Sequence, residues 1–205
     1  SDSITSNNSG RRRFLKTVAI GGAVVGAAAW NKQQMLGPAP YLPPPRSLQD
    51  QVTVITGGTA GLGLESAKRL AAGGATVVLT SRTQSKGQVA VQAVQDYLKE
   101  LDIVNENVYT LPLDLDDLEN VKTFPKRLST SPVGDKQITV LMNNAGVMAI
   151  PERQLTKDGY ERTFQSNHLG HFLLTSQLMP RLADDATVIN VSSEAHKFAS
   201  KGLEL

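Results

Sequence analysis

Thr56-Gly57-Gly58-Thr59-Ala60-Gly61-Leu62-Gly63 is the stretch that decides the fold. It grows out of the β-branched apolar run 52–56 and leads into a helical pattern over 62–72, with Leu64, Ala67 and Leu70 on one side. Glycine permits positive φ and close backbone approach, so a dinucleotide pyrophosphate can lie over the helix N-terminus and its unpaired N–H groups. A glycine cluster alone marks no more than a tight loop; lodged between the first strand and the first helix, it predicts nucleotide binding.

Downstream, short apolar runs alternate with longer amphipathic ones. We predict strands at 52–56, 76–81, 107–111, 138–142 and 187–191, each suited to a sheet covered on both faces. Helices are predicted at 62–72, 84–101, 118–128 and 159–182. Such alternation with right-handed crossovers implies an α/β fold, a Rossmann-type doubly wound parallel sheet. The 205 residues allow one complete domain, and 40% hydrophobic with 20% charged residues excludes a disordered or collagen-like chain. With no cysteine, disulfides, thiolate metal sites and a cysteine nucleophile are excluded. The net charge of +2 comes from the leader: beyond residue 29 there are 17 basic and 18 acidic side chains, net −1. That body has no broad positive field for phosphate backbones, so nucleic acid is not an expected partner.

The end of the second strand points to the dinucleotide. NAD binders place an acidic residue about 20 positions beyond the glycines to accept the ribose hydroxyls, whereas a 2′-phosphate needs that carboxylate absent and a cation nearby. Here Ser81 stands in the acidic position, Arg82 follows and Lys86 is close. One charge-assisted contact of about 1.5–3 kcal/mol gives about a 10- to 150-fold preference. The expected cofactor is therefore NADP(H).

The spacing Thr-Gly-x-x-x-Gly-x-Gly resembles that of the short-chain dehydrogenase/reductase family, and further segments carry the same likeness. Asp114-Leu115 resembles the family's adenine-contacting pair, although Asp114 reads equally as a helix cap, with Asp116 and Asp117 as alternatives. Asn143-Asn144-Ala145-Gly146 resembles the turn beside the cofactor. The resemblance implies cofactor contacts from Gly57, Thr59, Ala60, Gly61, Leu62, Gly63, Ser81, Arg82, Asp114, Leu115, Asn144, Ala145 and Gly146. The fourth helical pattern lines up Tyr160, Phe164, Asn167, His171, Leu174 and Leu178, which puts the Asn167 carboxamide toward the core, where it needs a hydrogen bond as an anchor or as part of a polar relay. Its setting Ser-Asn-His-Leu-Gly-His-Phe resembles the segment of the family's catalytic Asn. Ser193, at the end of the fifth strand, resembles the serine that hydrogen-bonds the substrate carbonyl. His168 and His171 have a spacing compatible with metal ligation, but no third ligand accompanies them and we read them as packing residues, with no metal site. The wording around Asn167 and Ser193 resembles the retinol dehydrogenase and protochlorophyllide oxidoreductase branch, and so implies a small lipophilic substrate. A second apolar face, Leu169, Phe172, Leu173 and Met179, reads either as a homodimer contact or as core.

The family's proton donor is a Tyr followed four residues later by Lys, at least 13 residues beyond the serine. Tyr41, Tyr97, Tyr109 and Tyr160 are each followed at that distance by Pro, Leu, Leu and Phe, so the pair does not occur within these 205 residues. We therefore expect the domain, 48–205, to be a piece of a longer enzyme, inactive by itself without its general acid. The alternative is a noncatalytic NADP(H)-binding or scaffold protein.

Ahead of the domain, Arg11-Arg12-Arg13-Phe14-Leu15-Lys16 precedes a short, mostly small or apolar stretch ending in Ala27-Ala28-Ala29, the layout of a secretory signal. The stretch is shorter than the roughly 20 residues that span a bilayer. It resembles a twin-arginine signal, with Gly10 where Ser or Thr is usual, and implies export of the folded protein to a thylakoid lumen or a bacterial periplasm. Residues 30–47 hold five of the ten prolines between Pro38 and Pro45 and read as a polyproline II spacer.

Overall fold

A computed structural model describes residues 41–193. The expected leader, 1–29, and most of the spacer lie outside the described residues, as does the chain after Ser193. Five strands, β1 (Val52–Ile55), β2 (Thr76–Ser81), β3 (Val108–Pro112), β4 (Ile138–Asn143) and β5 (Leu182–Asn190), form one sheet in the order β3-β2-β1-β4-β5. Every pairing is parallel, with β1 Val52 opposite Thr76 of β2 and Val54 opposite Leu141 of β4. Strand order reverses at β1, and the crevice between the outward-going loops there is where open α/β sheets take ligands.

Helices α1 (Gly61–Ala72), α2 (Gln84–Glu100) and α3 (Leu118–Ser129) cross between the first four strands. The core divides across the sheet. One cluster joins Ile55, Val77 and Leu79 to Ala67, Ala71, Val94 and Leu98 of α1 and α2. The other joins Val54, Val78 and Leu141 to Val121, Phe124 and Leu128 of α3 and to Leu174 and Leu178. Burial on both faces accounts for the nearly unbroken apolar character of these strands. The compact unit containing the sheet begins at Leu42, and Pro43 is buried; Leu48 N–H donates to the Gly73 carbonyl at 2.8 Å.

The fourth helical region departs from the continuous helix expected over 159–182. It starts with α4 (Arg162–Phe164), capped by Glu161 accepting from the Thr163 and Phe164 N–H groups. A π turn (Gln165–Leu169) follows, then α5 (Gly170–Leu178) and a 3₁₀ turn (Met179–Arg181). Pro180 lacks an N–H and ends the helical path, so Leu182 already belongs to β5 rather than to the helix. β5 also begins five residues earlier than expected: Leu182 pairs with Ile138, a register break follows, and the regular ladder resumes at Thr187 opposite Val140.

Candidate functional site

A cleft of about 760 Å³ opens at the carboxyl ends of β1 to β4. Into it come Gly57, Thr59, Ala60, Gly61 and Leu62 from the glycine turn, Ser81 and Arg82 from the end of β2, Asp114 and Leu115 from the loop after β3, and Asn144, Ala145 and Gly146 from the turn after β4. Of the residues expected to meet the cofactor, Gly63 is the one that does not line the cleft. It lies beneath it: a Cβ there would stand 2.6 Å from both the Asn144 side-chain nitrogen and the Gly57 carbonyl oxygen. Gly63 thus lets α1 approach the turn, whereas Gly57, at φ +64°, makes the turn itself, and a Cβ there would stand 2.8 Å from the Ala145 Cα.

The cleft floor is cross-tied. The Asn144 amide nitrogen donates to the Thr56 and Gly57 carbonyls at 2.9 and 3.2 Å, and the Thr56 hydroxyl oxygen accepts from the Asn144 and Ala145 N–H groups, each at 2.9 Å. Asn143 works in the other direction, donating to Thr175 and to Asn190 of β5. At the start of α1 the N-cap Ala60 supplies no side-chain acceptor, and the first turn carries no acidic residue. The N–H groups of that turn remain available to an anion lying in the cleft.

Charge in the cleft is asymmetric. Arg82 and Lys86 both line its β2 end, and neither makes an ion pair among the described residues. No carboxylate ends β2, whose last residue is Ser81. At the β3 end, Asp117 is the cap of α3, accepting from Asn120 N–H at 2.9 Å, so Asp114 is not the helix cap. Asp114 accepts from the Asp116 N–H and borders the cleft. Asp116 is itself held by Arg162, at 2.9 Å, and by the Ser166 hydroxyl. Asp116, Ser166, Val147 and Val191 line the cleft without having been anticipated, because what brings them together is tertiary contact, not spacing.

Asn167 does not face the core. The residue is exposed, and its carboxamide brackets Val147, accepting from the Val147 N–H at 2.8 Å and donating to its carbonyl at 2.9 Å. The π turn is the reason: an extra residue within the turn rotates the inward stripe. Gln165 and Ser166 are buried at its start, and His171, Leu174 and Leu178 after it, while Tyr160 is exposed. The buried carboxamide of this region is therefore Gln165, bonded to Leu115, Asp158 and Thr156. His168 is exposed and stacks at an angle on Phe164; His171 is buried and reaches Thr56. Burial pushes the His171 imidazole below the ordinary histidine value, against the Asn167 carbonyl on its Nδ1 and together with the nearby His168. Ser193 is exposed, two residues beyond the cleft-lining Val191.

Residues 51–204 match the family model for short chain dehydrogenases. Among curated proteins, human polyprenol dehydrogenase is 33% identical over 202 residues, covering 96% of this chain and 58% of that protein. Mouse retinol dehydrogenase 12 is 40% identical over 148 residues, 71% of this chain and 44% of that protein. The chain spans about half the length of these relatives. Among solved structures, an uncharacterized protein from Mycobacterium paratuberculosis is 41% identical with a TM-score of 0.60, covering 74% of this chain and 49% of that one. The Pseudomonas aeruginosa RhlG/NADP active-site complex is 25% identical with a TM-score of 0.56, covering 72% and 56%.

Proposed function

The chain belongs to the short chain dehydrogenase family, and from that premise we propose that the complete protein is an NADP(H)-dependent oxidoreductase acting on a carbonyl, alcohol or activated double bond. One observation carries the choice of cofactor: Arg82 and Lys86 border the cleft at the end of a strand that closes on Ser81 and not on a carboxylate. A guanidinium can hold a phosphate through two parallel hydrogen bonds, and a carboxylate in that place would repel it. The first turn of α1 would take the pyrophosphate and Asp114-Leu115 the adenine end, while residues 144–146 would flank the rest. When bound, the nicotinamide supplies or accepts the hydride.

This chain's own contribution to the chemistry is orientation. Asn167 holds the Val147 backbone on the cleft wall, and Ser193 follows the strand end that carries Val191 into it. In the complete protein Ser193 would donate to the substrate oxygen, where an aimed hydroxyl stabilises developing negative charge. The names of the relatives, polyprenol and retinol dehydrogenases, support a lipophilic alcohol or its carbonyl partner as the substrate class.

Titrating full-length protein with NADPH and with NADH tests the reading. NADPH is expected to bind about 10- to 150-fold more tightly, a preference that Arg82→Ala should largely remove. Equal or tighter binding of NADH by the unmodified protein overturns it.

A further inference from the structure

The Thr56 hydroxyl has four polar neighbours and one proton. Its oxygen lies 2.9 Å from the Asn144 nitrogen, 2.9 Å from the Ala145 nitrogen, 2.8 Å from His171 Nε2 and 3.4 Å from the Met142 carbonyl oxygen. Two backbone N–H donors occupy both lone pairs of a hydroxyl oxygen, which leaves only its proton to give. The Met142 carbonyl is the distant candidate and already accepts the Thr56 N–H at 3.0 Å. His171 Nε2 is closer, and it can accept only if it carries no proton. A protonated Nε2 would be a third donor facing an oxygen with no lone pair left. The ring proton must then sit on Nδ1, which faces the Asn167 main-chain oxygen at 3.1 Å. Carbonyl, imidazole, hydroxyl and the two amides thus form one chain of donors and acceptors with a single consistent direction.

We propose that His171 is a positioning residue of the cofactor cleft: held as the neutral Nδ1–H tautomer, it takes the Thr56 proton and so fixes both Thr56 lone pairs on the Asn144 and Ala145 amides. The same imidazole steadies the backbone of Asn167, whose side chain grips Val147 from both sides. Residues 144–147, a wall of the cleft, are thereby tied at both ends to a buried ring on α5. Gly146 sits between the two ties, and even there a Cβ would come within 3.4 Å of Asn167 Oδ1. An aromatic ring chosen for packing alone would leave the Thr56 proton with only the long contact to Met142. What the wall is for rests on the cofactor reading above, whereas the relay itself stands on these contacts.

The test uses the full chain and variants His171→Gln and His171→Phe. Gln can place a carbonyl oxygen where Nε2 lies and still accept from Thr56; Phe cannot. Long-range proton–nitrogen NMR of the unmodified protein should show a neutral His171 protonated at Nδ1. Amide exchange at Asn144 and Ala145 should quicken about three- to tenfold in His171→Phe, with β2 amides unchanged, and return toward the original rate in His171→Gln. NADPH affinity should fall and recover in the same order. A ring protonated at Nε2, or Gln and Phe variants that exchange alike at those two amides, overturns the proposal, and the tautomer measurement needs no variant to fold. Failure of the unmodified protein to bind NADPH would count against the proposed function, while tautomer and exchange would still judge the relay.

Discussion

β2 and β5 are both parallel strands of one sheet, yet every residue of β2 except Ser81 is buried, and no residue of β5 is. β2 lies between β1 and β3, with helices on its faces; among the described residues β5 pairs with β4 alone and leaves Ile189, and Val191 just past its end, about 40% exposed. The same contrast separates the two sides of the cleft. The glycine turn and the end of β2 rest on a closed core, while the wall after β4 depends on a few directed hydrogen bonds to Thr56 and Asn167. Packing positions the first side and polar contacts position the second, so the two should respond differently to substitution.

The largest difference should appear in the strands themselves. Leu79→Ala empties a fully buried site on β2 and is expected to cost about 2–5 kcal/mol by chemical denaturation. Ile189→Ala on β5 removes partly solvated surface and should cost about 1 kcal/mol. Equal losses would show that β5 is covered in solution on the face open among the described residues.

That contrast also explains what could be read ahead of the structure. β2 coincides with its expected bounds, and α1, α2 and α3 fall within a residue of theirs, because burial on both faces or one clean stripe leaves an unambiguous pattern. The region 159–182 misled because its apolar spacing holds only after the π turn, where His171, Leu174 and Leu178 are buried, and not before it, where Tyr160 is exposed. No local signal marks the extra residue in Gln165–Leu169, and the inward place given to Asn167 belongs to Gln165 and Ser166. The glycine turn, Arg82 and residues 144–146 could be placed in one cleft because each ends a strand. The bond between Thr56 and His171 joins residues 115 positions apart, and nothing in either neighbourhood announces it.

A second way to sharpen the contrast acts where the two sides meet. Gly63→Ala would push a methyl against the Gly57 carbonyl and the Asn144 carboxamide, and the backbone oxygen has little room to yield. We expect a loss of about 1–3 kcal/mol together with weaker NADPH binding, since Asn144 would be driven off its contacts with Thr56 and Gly57. Unchanged binding with lowered stability would mean that the Asn144 tie does not shape the cleft.

The third measurement varies pH. The folded-state pKa of His171 lies below the ordinary value of 6.5, chiefly through burial, while the unfolded chain keeps that ordinary value. Between the two the unfolded chain binds more protons. Stability contributed by the neutral ring is therefore complete above about pH 6.5 and is lost as pH falls through the lower folded value, with a slope of at most about 1.4 kcal/mol per pH unit. Thermal unfolding of His171→Gln should lack this part of the slope, and because His168 is retained in both proteins, the difference between their curves isolates His171. Parallel curves would place the ring in a setting that tolerates the cation, contrary to its contact with Thr56.

The smallest effect is expected on α5, where the contrast recurs within a single turn. Leu174 is fully buried, whereas Phe172, two residues earlier, is 69% exposed, as Met179 just past the helix is 59% exposed. A hydrophobic ring already in water has little transfer energy to lose, so Phe172→Gln in dilute protein should change stability by no more than about 0.5 kcal/mol. A larger loss, growing with protein concentration, would mean that this face is buried against a second copy. The helix would then be as fully covered as β2, and its outer residues would be held by packing rather than left to solvent.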